Sequence, residues 1–164
     1  MIASRALNAF AFVFDKRYGT LPYIFKTTFL SLSIVFALLI PIGLIKFGLL
    51  HEEANKLAPP TVIGLLVIAP IFENLIFIGL IEFMLAFELR VVTMVVVVAL
   101  LSALAHGLAA DWRALSGLVG FATMSYAYLN WSECPFYKRY AITVGPHILF
   151  NTPSAILILT NAVD

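Results

Sequence analysis

The sequence predicts an all-α protein: a polytopic bundle of about five membrane-spanning helices, with a possible N-terminal helix on the membrane surface. Three observations lead there. First, the 164 residues are 62% hydrophobic and only 12% charged, with a mean hydropathy of +1.02. A soluble domain of this length cannot bury that much apolar surface. Second, the apolar residues gather into stretches close to the roughly 20 residues that cross a hydrocarbon core. Third, the connections between these stretches are short and polar. Within lipid a lone strand leaves its backbone unpaired, so even the β-branched run Val91–Val98 is read as helix.

Taken in order, residues 1–23 mix apolar and basic side chains. They suit a helix lying on the membrane surface, with a frayed tail as the alternative. They do not resemble a cleaved signal peptide, since no small-residue cleavage site is evident and the next apolar run is too long. The first span covers about 24–49 and contains Pro41. The second, about 61–86, holds the stretch VIAPIFENLIFIGLIEF. The third, fourth and fifth cover about 91–109, 114–131 and 140–161. They are joined by HEEANKLAPP (51–60), Glu88–Arg90, Asp111–Arg113 and SECPFYKRY (132–140). No loop can hold a second domain and no repeat is present, so residues 1–164 form a single membrane domain.

Seven Lys and Arg lie on the N-terminal side of such a bundle and three on the other, which favours a cytoplasmic N-terminus. The net charge of +1 provides no basic footprint for nucleic acid. The single cysteine, Cys134, sits in a connection and excludes an intrachain disulfide.

In so apolar a chain the informative residues are polar ones at membrane depth, because each is expensive to place there. They are Glu73, Asn74 and Glu82 in the second span, Ser102 and His106 in the third, and His147 and Asn151 in the fifth. His51 lies in a connection. Pro70 stands three residues before Glu73 and Pro146 directly before His147, and a proline inside a span frees a backbone carbonyl and bends the helix. Gly107 follows His106 and lets a neighbouring helix approach closely. His147 and Asn151 share one helix face by their i, i+4 spacing, as do Ser102 and His106.

The expectation is convergence: three spans turn Glu73, His106, His147 and Asn151 toward one interior site. Asn74 and Ser102 read as helix-packing glue, and Glu82 as an end-of-helix carboxylate near the interface. A carboxylate and a histidine around one water form a general-base system. The other His and Asn can donate to a developing oxyanion. That set supports amide hydrolysis without a Ser or Cys nucleophile, and no G-x-S-x-G is present. No cofactor is required. Zinc held by two His and one Glu is an alternative, although H-E-x-x-H is absent, and a haem between His106 and His147 is conceivable.

These residues resemble the signature of the CPBP family: CAAX-processing type II prenyl endopeptidases and bacteriocin-processing enzymes, also called Abi proteins. Its three motifs lie on separate membrane helices: P-x-x-E-E-x-x-F-R-G, F-x-x-x-H and H-x-x-x-N. Here they read PIFENLIFIG (70–79), SALAH (102–106) and HILFN (147–151), in the same order, and the resemblance covers residues 61–161. It implies a glutamate-dependent intramembrane endopeptidase of a prokaryotic inner membrane, acting on a peptide or protein substrate. Glu73 and His106 would activate water, and His147 and Asn151 would hold water or the oxyanion. Homo-oligomers or a partner membrane protein fit the low span number. Three positions depart from the family: Asn74 stands for the second glutamate, Ile78 for the arginine and Ser102 for the phenylalanine. In the family that glutamate and arginine can pair across one helical turn. Removing one partner of a buried pair is costly, whereas replacing both is often neutral. A non-catalytic membrane protein on the same scaffold, a bacteriocin-immunity factor or a partner-binding subunit, is the alternative function.

Overall fold

The computed structural model describes residues 13–54, 60–108 and 111–161, which are almost wholly helical and contain no strand. A short 3-10 turn, Lys16–Tyr18, leads into α1 (Thr20–Ala54). The Asp15 side chain caps that turn by accepting from the Arg17 backbone N–H, and Gly19, at φ 82°, ends it. The helix α2 (Pro60–Ile63) runs through a π-helical turn, Gly64–Ile68, into α3 (Ala69–Ala86). Then follow α4 (Val91–Gly107), α5 (Asp111–Asn130) and α6 (Phe136–Asn161).

All-α architecture is as the sequence predicts, with some boundaries moved. The surface helix expected over residues 1–23 lies mainly outside the described residues, and residues 16–18 of it form the 3-10 turn instead. The segment His51–Ala54, expected in a connection, continues α1, because Glu52, Glu53 and Ala54 are good helix formers. Asp111–Arg113 open α5 rather than precede it. The last helix starts at Phe136, directly after Pro135, whose carbonyl accepts from the Lys138 and Arg139 backbone N–H groups.

Among the described residues, two stretches are long and apolar enough to cross a membrane: Thr20–Leu38, mean hydropathy 1.6, and Gly64–Ala86, mean hydropathy 2.2. Val91–Gly107 is apolar but shorter.

The central element is α5, which packs against α1, α3, α4 and α6. Its closest neighbour is α4. A Cβ on Gly107 would come within 3.1 Å of the Ala114 Cβ, so the glycine is what permits this approach. One apolar cluster, including Ile78, Ile81, Met94, Val98 and Phe121, joins α3, α4 and α5. A second, around Tyr23, Trp131 and Ile142, joins α1, α5 and α6. The hydroxyls of Thr27, Thr28 and Ser31 donate to carbonyls three or four residues back in α1, so these buried polar groups are satisfied within their own helix.

Candidate active site

The site begins with a break in the helix ladder. Ala69 N–H reaches back five residues to the Gly64 carbonyl, as a π-turn requires. The same pattern pairs the Leu65 carbonyl with residue 70, but residue 70 is proline and has no N–H. The orphaned Leu65 carbonyl accepts instead from Asn151 Nδ2 of α6, at 3.0 Å. Pro70 thus creates an acceptor that a residue of another helix must satisfy.

Beyond Pro70, α3 turns Pro70, Asn74, Ile78, Ile81 and Met84 into the core. Glu73 sits beside this buried stripe. Its Oε2 is enclosed and has no hydrogen-bond partner among the described residues. It lies 3.7 Å from His106 Nε2 and 3.6 Å from His147 Nε2. These gaps are slightly longer than a direct hydrogen bond. The carboxylate of α3 therefore stands between two imidazoles from α4 and α6, helices whose backbones do not approach each other closely among the described residues.

Each imidazole is held from behind. His106 Nδ1 lies 2.9 Å from the Ser102 carbonyl, with the Ser102 hydroxyl 3.3 Å away. His147 is buried, and its Nδ1 lies 2.8 Å from Asn74 Nδ2. Asn74 Nδ2 also donates to the Pro70 carbonyl at 2.7 Å. Phe121 of α5 fills the angle between the rings, edge-to-face with His147 at 5.1 Å and tilted against His106 at 5.8 Å. Gly117, one turn earlier, lies under His106: a Cβ there would come within 3.1 Å of the ring and 3.0 Å of the Ser102 carbonyl.

His106, His147 and Asn151 line a common cavity of about 30 Å³, with Gly117, Gly120 and Phe121 in its wall. That is room for a water molecule with polar partners. It is far too small for a peptide.

The four residues singled out by the sequence thus converge, with a difference at Asn151, whose amide is engaged by the Leu65 carbonyl as well as facing the cavity. Asn74 and Ser102, expected as packing glue, hold the two histidines. Ile78 is buried in the apolar cluster, so this face of α3 carries an amide and an aliphatic side chain one turn apart. Glu82, about one turn before the end of α3, is paired. Its Oε1 accepts from the Tyr128 hydroxyl and from Arg139 Nη2, the latter at 2.9 Å. The Arg139 guanidinium lies 3.9 Å over the Tyr128 ring. Phe121 and Gly117 also shape the site, beyond the residues the sequence singles out. Gly117 had a signal in its single turn of separation from Gly120 and Phe121, while Phe121 looks like any apolar residue of its helix.

No protein-family model, no curated protein and no solved structure matches this chain.

Proposed function

We propose that the chain is a multi-pass protein of the cell membrane, built on five spans, whose interior site hydrolyses a peptide bond with water activated by Glu73 and His106. The observation that carries this reading is the enclosed Glu73 Oε2 placed between the Nε2 atoms of two histidines that also line a water-sized cavity. The membrane setting is supported by the two long apolar stretches, of which only 28% and 22% are buried inside the fold. The core helix of a soluble protein would be mostly covered. Large apolar side chains such as Phe29, Ile76, Val92 and Leu104 stand on the outer faces, where lipid would cover them.

The chemistry follows from the groups present. The water oxygen bonds to the substrate carbonyl carbon while its proton passes to Glu73, with the His106 ring sharing the proton's path. The carbonyl oxygen takes the electron pair and becomes the oxyanion. His147 and the remaining amide hydrogen of Asn151 are the available donors to it. Collapse breaks the C–N bond, and the proton passes to the departing amine. The residues resemble those of the CPBP endopeptidases in type and order, and the substrate class proposed is a membrane-embedded or membrane-anchored peptide. Because the cavity is too small for a peptide, substrate must part the helices, and α4 and α6, whose backbones do not approach each other among the described residues, form the natural seam.

Glu73→Gln keeps the shape of the side chain and removes the base. Peptide hydrolysis by the purified protein in lipid should fall by about 10²–10⁴-fold, with the folded fraction unchanged. Undiminished turnover by Glu73→Gln would refute the mechanism. A non-catalytic scaffold that binds a partner or confers immunity predicts instead that cells carrying Glu73→Gln keep the full phenotype.

A further inference from the structure

The two imidazoles beside Glu73 are held at Nδ1 by chemically opposite partners. At His106 the partner is the Ser102 carbonyl, 2.9 Å away. A carbonyl only accepts, so His106 Nδ1 carries a hydrogen, and the Ser102 hydroxyl at 3.3 Å can accept from it as well. At His147 the partner is Asn74 Nδ2, 2.8 Å away. Which end of an amide is nitrogen must be settled by the surrounding network. Here Pro70 settles it. Its carbonyl lies 2.7 Å from the same Asn74 atom. With the amide reversed, two oxygens that can only accept would meet at that distance. The amide nitrogen has two hydrogens, one for Pro70 and one for His147, so His147 Nδ1 accepts.

A neutral imidazole carries its hydrogen on one nitrogen alone. His106 therefore turns a bare Nε2 toward Glu73, and His147 turns an Nε2–H toward the same oxygen. A second hydrogen on His147 Nδ1 would meet the Asn74 amide donor to donor. We propose that Asn74 is a positioning residue that fixes His147 as the N–H donor of the site, while His106 keeps a bare Nε2 with which to share the water's proton with Glu73. The assignment of tautomers stands on the geometry alone; the two jobs rest on the hydrolytic reading above.

The same arrangement bears on a metal. A histidine that ligates a metal ion through Nε2 usually donates from Nδ1 to a carbonyl or carboxylate. His106 meets that condition and His147 does not, because its Nε2 holds the hydrogen. A Glu-His-His zinc site needs bare Nε2 atoms on both rings, and axial ligation of haem iron by both rings needs the same. The residues present fit neither group.

The position of Asn74 also explains how this chain does without a glutamate there. A carboxylate at residue 74 would set an oxygen against the Pro70 carbonyl, and toward His147 it would accept rather than donate. It would turn the ring to the Nδ1–H tautomer and point a bare nitrogen at Glu73.

The test is ¹⁵N NMR of the full chain, labelled at histidine and held in lipid nanodiscs, with rings assigned by His51→Gln and His106→Gln. The expected spectrum has His147 as the Nε2–H tautomer and His106 as Nδ1–H. Asn74→Asp should move His147 to Nδ1–H and, if the hydrolytic reading holds, lower kcat by about 10²-fold with little change in KM. Added zinc chloride should shift the His106 signals and leave His147 in place. An Nδ1–H tautomer at His147 in the unaltered chain overturns the proposal, whether or not Asn74→Asp folds. So does Asn74→Asp that folds and keeps the Nε2–H form, or zinc taken up by both rings. If the tautomers are as stated and no peptide is cleaved, the hydrolytic reading fails and the role of Asn74 in setting His147 stands.

Discussion

At the scale of single residues, the site depends on groups that have no chemistry of their own. Gly117 is the clearest. Adding a methyl group there presses on the His106 ring and the Ser102 carbonyl at 3.0–3.1 Å, and overpacking of this kind destabilises by about 1–3 kcal/mol. Gly117→Ala should therefore lower the unfolding midpoint modestly and reduce peptide hydrolysis far more, because His106 is the group displaced; parallel melting and activity assays check this. Ile78 makes a second test. It is buried among Ile81, Met94 and Phe121, in an apolar cluster. Ile78→Arg places an unpaired guanidinium there, and an uncompensated buried charge destabilises by about 3–5 kcal/mol. Adding Asn74→Glu one turn away should recover part of that loss in a denaturation series. If the double variant is no better than Ile78→Arg alone, the pairwise reading of positions 74 and 78 is wrong. The identities of Glu73, His106, His147 and Asn151 were legible in the sequence, because a polar group in an apolar helix is conspicuous. The partners that orient them were not. Asn74 reveals its role only once the His147 ring is seen 2.8 Å away, on a helix 73 residues distant, and no local pattern encodes that approach.

At the scale of elements, the π-turn before α3 is the main departure from what the sequence reveals. Pro70 signals a disturbed helix, and its exact form depends on Asn151 reaching across from α6 to the Leu65 carbonyl. Asn151→Leu should leave that carbonyl without a donor and destabilise the fold by about 1–3 kcal/mol. Hydrogen exchange should then rise first in residues 64–69, while a uniform rise across all helices would contradict a local role. The segment Glu82–Tyr128–Arg139 ties α3 to α5 and α6 about two and a half turns from Glu73, roughly 13 Å along the helix. Because Glu82 remains 45% exposed, its pairing with Arg139 is screened and adds no more than about 1 kcal/mol. Glu82→Gln should accordingly be mild in a melting experiment. Helix ends were the least legible feature, since α1, α5 and α6 each extend past the apolar stretch that marks them, through polar residues that continue a helix as readily as end one.

At the scale of the whole molecule, one arrangement explains both the composition and the site. Helices α3, α4 and α6 each bring one titratable side chain to a shared point, and α5 supplies the glycine and phenylalanine that set the spacing between them. Outer faces carry large apolar side chains, and the polar groups turn inward or bond within their own helices. This is the organisation expected of a bundle that protects a water-using site from lipid. The all-helical class followed directly from hydropathy, whereas the packing order, with α5 at the centre, depends on small residues whose meaning is visible only in three dimensions. The central claim is that Glu73 activates water for peptide hydrolysis. The most direct measurement compares protein termini in membranes of cells carrying the unaltered chain and cells carrying Glu73→Gln at equal abundance. A defined set of new termini present only with the unaltered chain is the result expected, and identical termini in the two would contradict it.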